Sequence, residues 1–231
     1  QSRLYVATPC QWLMNKVKES ILAPAMIEGR VIPNGVDTRR FYPGDRRQAR
    51  VNLGLPLNEP ILLFVANGIR KNPFKDYETL RAAIALLGSY STQPIHFVAL
   101  GEQGAIEQLG QATVRYVERT TNIELVAQYF QAADIYMHAS KAETFPNTIL
   151  EAMACALPVI ASDVGGISEQ VMDGVTGVMV EPQDPNQLAQ AAMRLLGNPL
   201  LCQQMGAAGL ERVKANFTLE HQAVSYTHLR A

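Results

Sequence analysis

Residues 140–169 read SKAETFPNTILEAMACALPVIASDVGGISE, and the elements in and around this stretch decide the fold. Just before it, Ile135-Tyr136-Met137-His138 is a short apolar run of strand type. Within it, residues 148–156 carry apolar side chains at helical spacing, and Pro158-Val159-Ile160-Ala161 is again a strand. A strand, a helix and a strand in immediate succession make a parallel crossover unit. The same alternation continues on both sides. Residues 61–66 and 95–100 are strands, the second ending at Gly101. Asp76 caps a helix running through Leu87 with Leu80, Ala83, Ile84 and Leu87 on one face, and another helix spans 123–133. Downstream come a short helix over 167–172 and a last strand over 177–180. Asp184-Pro185 and Asn198-Pro199 each place a capping side chain before a proline suited to the first helical position. The pattern predicts an α/β fold, a Rossmann-like, doubly wound parallel sheet covered on both faces.

The chain has 231 residues, 48% hydrophobic and 18% charged, enough apolar material for a substantial core. Lys+Arg 20 against Asp+Glu 21 leaves a formal net charge of -1. No basic excess marks a nucleic-acid groove, so no nucleic-acid partner is expected. No run of about eighteen apolar residues marks a membrane span. The opening Gln1-Ser2-Arg3-Leu4-Tyr5 lacks the apolar core of a signal peptide. Cys10, Cys155 and Cys202 are far apart and odd in number, which fits a reducing compartment and a cytoplasmic protein.

The first forty residues differ. Residues 4–7 form a strand, Pro9 a break and 11–20 a helix. Val31-Ile32-Pro33-Asn34-Gly35-Val36-Asp37 reads as a turn-rich crossover, with no further strand–helix unit before Leu53. One βα unit cannot bury its own face, so residues 1–37 are expected to be the remnant of a preceding domain and its crossover. Residues 38–220 then form the main domain. Residues 221–231 are a terminal helix and tail without clear period, expected to be truncated or foreign.

Doubly wound sheets bind ligands beyond the carboxyl ends of their strands. Chemistry is therefore expected just after Ala66, Leu100, His138 and Ala161. In the third of these loops Glu143 precedes Glu151 by eight positions, and Thr144-Phe145-Pro146-Asn147 brings free amides and a positive helix end to one place. That combination suits a phosphate, with a carboxylate one turn in to accept from a ribose diol. Thr148 and Glu151 also have the spacing of a capping box that merely holds a helix start, and a loop glutamate is normally just solvated. Spacing alone leaves both readings open.

The segment E-T-F-P-N-T-I-L-E-A-M-A-C-A-L-P-V-I-A-S-D-V-G-G, from Glu143, is similar to the E-x7-E block of the retaining glycosyltransferases of family 4. Val31 to Asp37 with Phe41 resembles the interdomain segment of that family. Ala7-Thr8-Pro9-Cys10-Gln11-Trp12-Leu13 resembles its last N-domain strand and helix, and Val98-Ala99-Leu100-Gly101-Glu102-Gln103-Gly104 its nucleotide-domain strand and glycine turn. Gln131-Ala132-Ala133-Asp134-Ile135 precedes the block in the family's order. The resemblance implies a GT-B architecture, with this chain supplying the C-terminal donor-binding domain and the end of the N-terminal one.

The resemblance further implies roles by position. Glu151 holds the ribose hydroxyls, Glu143 lies near the donor sugar, and the amides of Phe145, Asn147 and Thr148 face the distal phosphate. Gly165 and Gly166 make a tight turn lining the cleft, while Gly68 and Gly101 lie at the strand ends beside the donor. Lys75 matches the family's diphosphate lysine. The usual Gly-Arg pair is Ala66-Asn67 here, and Arg70 in the apparent insertion is the candidate replacement, with a plain surface arginine as its alternative. A metal would be expected to show an Asp-x-Asp, and no two aspartates stand two positions apart. No metal or other cofactor is therefore expected. The resemblance implies a nucleotide-sugar donor, UDP-linked, with a carbohydrate or lipid-linked acceptor. The acceptor site, and any peripheral membrane contact, belong to the other domain, so the chain alone is expected to turn over little.

His96 is expected to be packed within its strand, His138 at a strand's carboxyl end either to approach the cleft or to be a satisfied structural histidine, and His221 and His228 to lie in the terminal helix. Gly101-Glu102-Gln103-Gly104 lacks the G-x-G-x-x-G of a dinucleotide fingerprint. The rival readings are a non-catalytic nucleotide-sugar module or pseudoenzyme, and, more weakly, a Rossmann oxidoreductase.

Overall fold

A computed structural model describes residues 3–227 of the chain. The N-terminal strand β1 (Leu4–Thr8) leads through helix α1 (Gln11–Lys18) to β2 (Met26–Val31), which pairs parallel with β1, Val6 opposite Gly29. The sequence reading stopped at one strand and one helix; β2 completes a crossover unit. Its Glu28 and Arg30 interrupt the apolar pattern and hid it. A second addition follows at α2 (Arg46–Leu53), a stretch in which no further strand–helix unit was expected. Asp45 caps its Gln48 amide, and Gly54, at φ 60, ends it. Its buried residues are Ala49, Arg50 and Leu53, and a charged residue in the buried stripe concealed the helical period.

The main sheet contains β3 (Ile61–Val65), β4 (Ile95–Leu100), β5 (Glu107–Leu109), β6 (Ala112–Val117), β7 (Ile135–His138), β8 (Val159–Ser162) and β9 (Gly177–Val180), in the order β5-β6-β4-β3-β7-β8-β9. Every pairing is parallel except β5 with β6. The β5–β6 hairpin is a third addition to the sequence reading; Thr113 and Arg115 break its apolar run. Without the antiparallel edge, the strands taken in chain order lie as 3-2-1-4-5-6, the arrangement of doubly wound nucleotide folds.

Helices α3 (Tyr77–Tyr90), α4 (Ile123–Ala132), α5 (Asn147–Ala154), α6 (Ile167–Gln170), α7 (Pro185–Leu196), α8 (Pro199–Asn216) and α9 (Leu219–Thr227) complete the described chain. Strand β3 divides the core: Ile61 and Leu63 pack into one apolar cluster with α2, α4 and α5, while Leu62 and Phe64 pack into the other with α3 and α7. Asp76, Asp184 and Asn198 cap α3, α7 and α8, as the sequence reading anticipated. Of the expected tail, α9 is described; His228 and the rest of residues 228–231 lie outside the described residues.

One buried cation locks the amino end of the sheet. Arg50, 4% exposed, donates to the carbonyls of Ala132, Leu57 and Glu59 and to Asp134 at 2.7 Å. The Asp134 carboxylate also accepts from the Ile61 amide and from exposed Arg46. Removing Arg50 strands the buried Ala132 carbonyl and two part-buried ones and leaves Asp134 without its inner partner. Arg50→Met is therefore expected to cost about 3–5 kcal/mol in urea denaturation, and Arg46→Met less than about 1 kcal/mol.

Candidate functional site

The chain leaves β3 to pair one way with β4 and the other way with β7, so the loops after β3 and β7 open a crevice at the carboxyl edge. These two loops are hydrogen-bonded to each other. The Asp76 amide donates to the Ala139 carbonyl at 3.1 Å and the Lys141 amide to the Phe74 carbonyl at 2.8 Å, with Lys75 and Ser140 bridged between them. The arrangement delivers Lys75 to Glu143: the two side chains form an ion pair, both mostly buried.

Beneath the pair lies His138, fully buried at the end of β7. Its Nε2 is 3.3 Å from Lys75 Nζ, 3.1 Å from Ser140 Oγ and 3.7 Å from Glu143 Oε2, while Nδ1 is 3.0 Å from the Tyr136 hydroxyl. Val65 and Thr148 also meet that hydroxyl, which links β3 to the first turn of α5. Burial, and the Lys75 charge beside it, pull the imidazole down to about 4, so it is neutral at pH 7. Burial works against ionisation of Glu143, but the His138 ring and the Lys75 ammonium outweigh it and hold the carboxyl at about 2. His138 is the residue that sequence reasoning set aside. Its position at the carboxyl end of a strand next to the crevice was the available signal.

Helix α5 starts at Asn147, with Pro146 at its N-cap and no side-chain cap. The possible capping box is thereby excluded, because Thr148 lies inside the helix and meets Tyr136 instead. The expected helix over 148–156 ends earlier, at Ala154, and Ala156 turns left-handed at φ 57. Among the described residues, the amides of Phe145, Asn147 and Thr148 meet no acceptor. Phe145 itself is buried, its ring 5.7 Å from Phe217 and its carbonyl accepting from Asn34. One turn into α5, Glu151 has no hydrogen-bond partner among the described residues, and burial pushes its carboxyl up to about 7. Glu151 and Asn147 line one recess of about 270 Å³ with Gly35, Asp37, Arg40 and Ile123.

Two glycines set the backbone around the crevice. Gly165, at φ 61, lies so close that a Cβ would overlap the Glu143 carbonyl oxygen, and at Gly101, after β4, a Cβ would overlap the Ala66 carbonyl. Gly166 packs on Thr144 and Cys10, while Gly68 faces open space. Arg70 is not brought to the Lys75–Glu143 pair. Its amide and Nε donate to Glu102 at 2.7 Å each, its Nη2 to the Gln103 carbonyl, and its guanidinium lies 5.0 Å from the centre of the Tyr116 ring. It shares with Lys75 the lining of a recess of about 150 Å³. His96, expected to be packed, is half-buried and meets Glu59. Among the described residues, no three His, Cys, Asp or Glu side chains gather as a metal-holding set, and no helix is long and apolar enough to cross a membrane.

Solved structures share this fold. Sucrose-phosphate synthase (tll1590) from Thermosynechococcus elongatus gives a TM-score of 0.83 at 31% identity, covering 98% of this chain and 57% of that one. Anabaena HepE, in complex with UDP and glucose, gives 0.81 at 20% identity over 98% and 63%, a likeness of fold alone. The architecture is thus that of the GT-B glycosyltransferases. Among curated proteins, the D-inositol 3-phosphate glycosyltransferase of Geodermatophilus obscurus is 34% identical over 205 residues, 82% of this chain and 44% of its own length. The enzyme of that name from Mycobacterium tuberculosis is 36% identical over 185 residues, 75% of this chain and 36% of its own. The chain spans less than half the length of these relatives. Residues 59–198 match the family described as Glycosyl transferases group 1, and the chain belongs to that family.

The two loop glycines make a paired test of this geometry. Both Gly68 and Gly165 have positive φ, but only Gly165 abuts the Glu143 loop. Gly68→Ala is expected to cost about 1 kcal/mol of backbone strain. Gly165→Ala adds displacement of Glu143 to that strain. Thermal melts and the amide spectrum of residues 143–148 should separate the two variants.

Proposed function

We propose that this chain is the donor-binding half of a retaining, metal-independent glycosyltransferase that takes a nucleotide sugar, with UDP as the carrier. The observation that carries the reading is that the loop holding the Lys75–Glu143 pair runs directly into α5, whose first amides are open and whose Glu151 carboxyl, lining a neighbouring recess, has no partner among the described residues. The UDP complexes of HepE and the glycosyltransferase names of the curated relatives support it. In this reading residues 38–220 form the donor domain and 1–37 the end of an acceptor domain. The acceptor, carbohydrate or lipid-linked, binds on that other domain, as does any membrane surface. The three free cysteines fit a cytoplasmic setting.

The diphosphate lies against the α5 amino end, and Lys75 meets the charge that develops on its leaving oxygen. Arg70 is the second cation, across the shared recess, with Glu102 as its competitor. The bond from the anomeric carbon to the diphosphate oxygen breaks, and the acceptor oxygen bonds to the same face of the sugar. The acceptor proton passes to the departing phosphate oxygen. Glu143, held ionised, faces the positive charge that builds on the sugar ring and orients its hydroxyls. The amides of Phe145, Asn147 and Thr148, with the backbone at Gly68, Gly101, Gly165 and Gly166, shape the rest of the donor pocket.

The engagement of Arg70 by Glu102 favours, as a second reading, a pseudoenzyme that binds nucleotide sugar without transfer. Lys75→Ala and Glu143→Ala, in a protein extended to include the acceptor domain, discriminate between the two. An enzyme loses turnover far more than UDP affinity, whereas a binder has no turnover to lose. The 231-residue chain itself is expected to show a concentration-dependent rise in melting temperature with UDP and little transfer. A flat melt with UDP, GDP and ADP alike would remove the donor reading.

Glu151 gives the site a pH signature. Its folded pKa lies above the usual carboxylate value, so the native state holds the proton more tightly than the unfolded chain. Its contribution is fully present below about pH 4.5 and is lost as pH rises towards about 7, a loss of up to about 3 kcal/mol. Glu151→Gln should flatten that part of the stability curve. Because an ionised carboxylate accepts from both ribose hydroxyls, the ratio of wild-type to Glu151→Gln affinity for UDP should rise between pH 5.5 and 8. An unchanged ratio would separate Glu151 from the ribose.

A further inference from the structure

Helix α1 has no cap of its own. Cys10 occupies the N-cap without a side-chain cap bond, and the orphan amides of the first turn are taken from far along the chain. Gln11 N donates to Glu169 Oε2 and Trp12 N to Glu169 Oε1, both at 2.8 Å. Glu169 belongs to α6, a single turn directly after Gly165 and Gly166.

That same short segment also supports the Glu143 loop. Gly165 abuts the Glu143 carbonyl. A Cβ on Gly166 would lie 2.7 Å from Cys10 Sγ on one side and overlap the Thr144 carbonyl on the other. Gln170, fully buried, donates from Nε2 to the Pro146 carbonyl at 3.1 Å. From behind, Arg212 holds the carbonyls of Glu169 and Gln170 at 2.8 Å each. Residues 165–170 therefore form a braced wedge with the N-terminal unit on one side and residues 143–146 on the other. Packed backbone contacts of this kind transmit a shift because they leave no slack to absorb it.

We propose that Glu169 is a positioning residue that latches α1 to this wedge, so that the seat of the N-terminal unit sets the placement of Glu143 and of the α5 amino end. The inference rests on the donor-site reading for its consequence, though its mechanical part stands apart from it. A transferase whose acceptor site lies on the N-terminal side gains from such a link, because the donor loop takes its working position only when the other side is seated. Glu169 touches no reacting atom; it acts through the wedge.

Glu169→Ala and Glu169→Gln in the 231-residue chain test the link, with hydrogen exchange, melting temperature and UDP titration as readouts. Expected for Glu169→Ala are at least tenfold faster exchange at the Gln11 and Trp12 amides, faster exchange across residues 149–152, where Ile149 donates to the Pro146 carbonyl that Gln170 also holds, and UDP affinity weakened at least fivefold. Glu169→Gln keeps one acceptor oxygen, should show smaller changes in the same sense, and serves if the alanine variant fails to fold. Cys10→Ser added to Glu169→Ala separates the latch from simple capping, since the Cys10 thiol already faces the Trp12 and Leu13 amides. The double variant should regain melting temperature but not UDP affinity or protection at 149–152. Recovery of all three would reduce Glu169 to a helix cap and overturn the proposal, as would a Glu169→Ala effect confined to Gln11 and Trp12. If the unaltered chain binds no UDP, the donor reading fails, and the exchange at 149–152 still decides the mechanical link.

Discussion

The site depends on the point where the sheet reverses its direction of growth. Because β3 sits between β4 and β7, the loops that follow β3 and β7 are forced side by side, though 63 positions separate Lys75 from His138. Parallel strands send all their exits to one edge, so the crevice there is a consequence of topology and needs no special residue to form. What the residues add is the lock between the two loops. The backbone ladder from Phe74 to Asp76 against Ala139 to Lys141 fixes the register, and the ion pair between Lys75 and Glu143 then forms over a buried, neutral imidazole. Neutrality of His138 matters to the charge balance. A second cation beneath Lys75 would repel it in a poorly solvated place, whereas a neutral ring can accept from the ammonium.

Two carboxylates eight residues apart end up with opposite electrostatics. Glu143, in the loop, meets a cation and stays ionised at any working pH. Glu151, one turn into the helix, is half-buried at the edge of its recess without a partner among the described residues and holds its proton close to neutrality. A fold seeking stability alone would place an apolar residue at that position, since an unpaired buried carboxyl costs energy and returns nothing. Such a group is explained when a partner arrives from outside the chain, and hydroxyl donors suit it better than a cation.

Much of this was legible from residues with strong local signatures. Asp76, Asp184 and Asn198 announced their helices because a cap is a local device, and β3, β7 and β8 are uninterrupted apolar runs. The elements that escaped share one cause: α2 buries Arg50, and β2 and β6 carry Glu28, Arg30 and Arg115 at half-buried positions while Ile27 is exposed, so side-chain type and burial disagree there. In the site, spacing singled out Glu143 and Glu151 without deciding their role and Lys75 came from the family resemblance, whereas the role of His138 depends on partners 63 and 5 positions away. Arg70 shows the reverse case. Its charge made it a candidate, and only the structure reveals Glu102 as its partner.

The pairing of Lys75 with Glu143 bears on how a charged ligand is handled. A free lysine in the crevice would attract any anion and gain most from the ground state, because its field is fully available before reaction. A lysine already bound to a carboxylate offers less to an incoming diphosphate. It offers more once negative charge concentrates on the leaving oxygen while positive charge grows on the sugar beside Glu143. The two halves of the ion pair then face the two halves of a separating charge, in positions set beforehand by the loop ladder and the Gly165 contact. On the donor-site reading, the pair thereby favours the transition state over the bound donor, which is the condition for raising turnover as well as affinity.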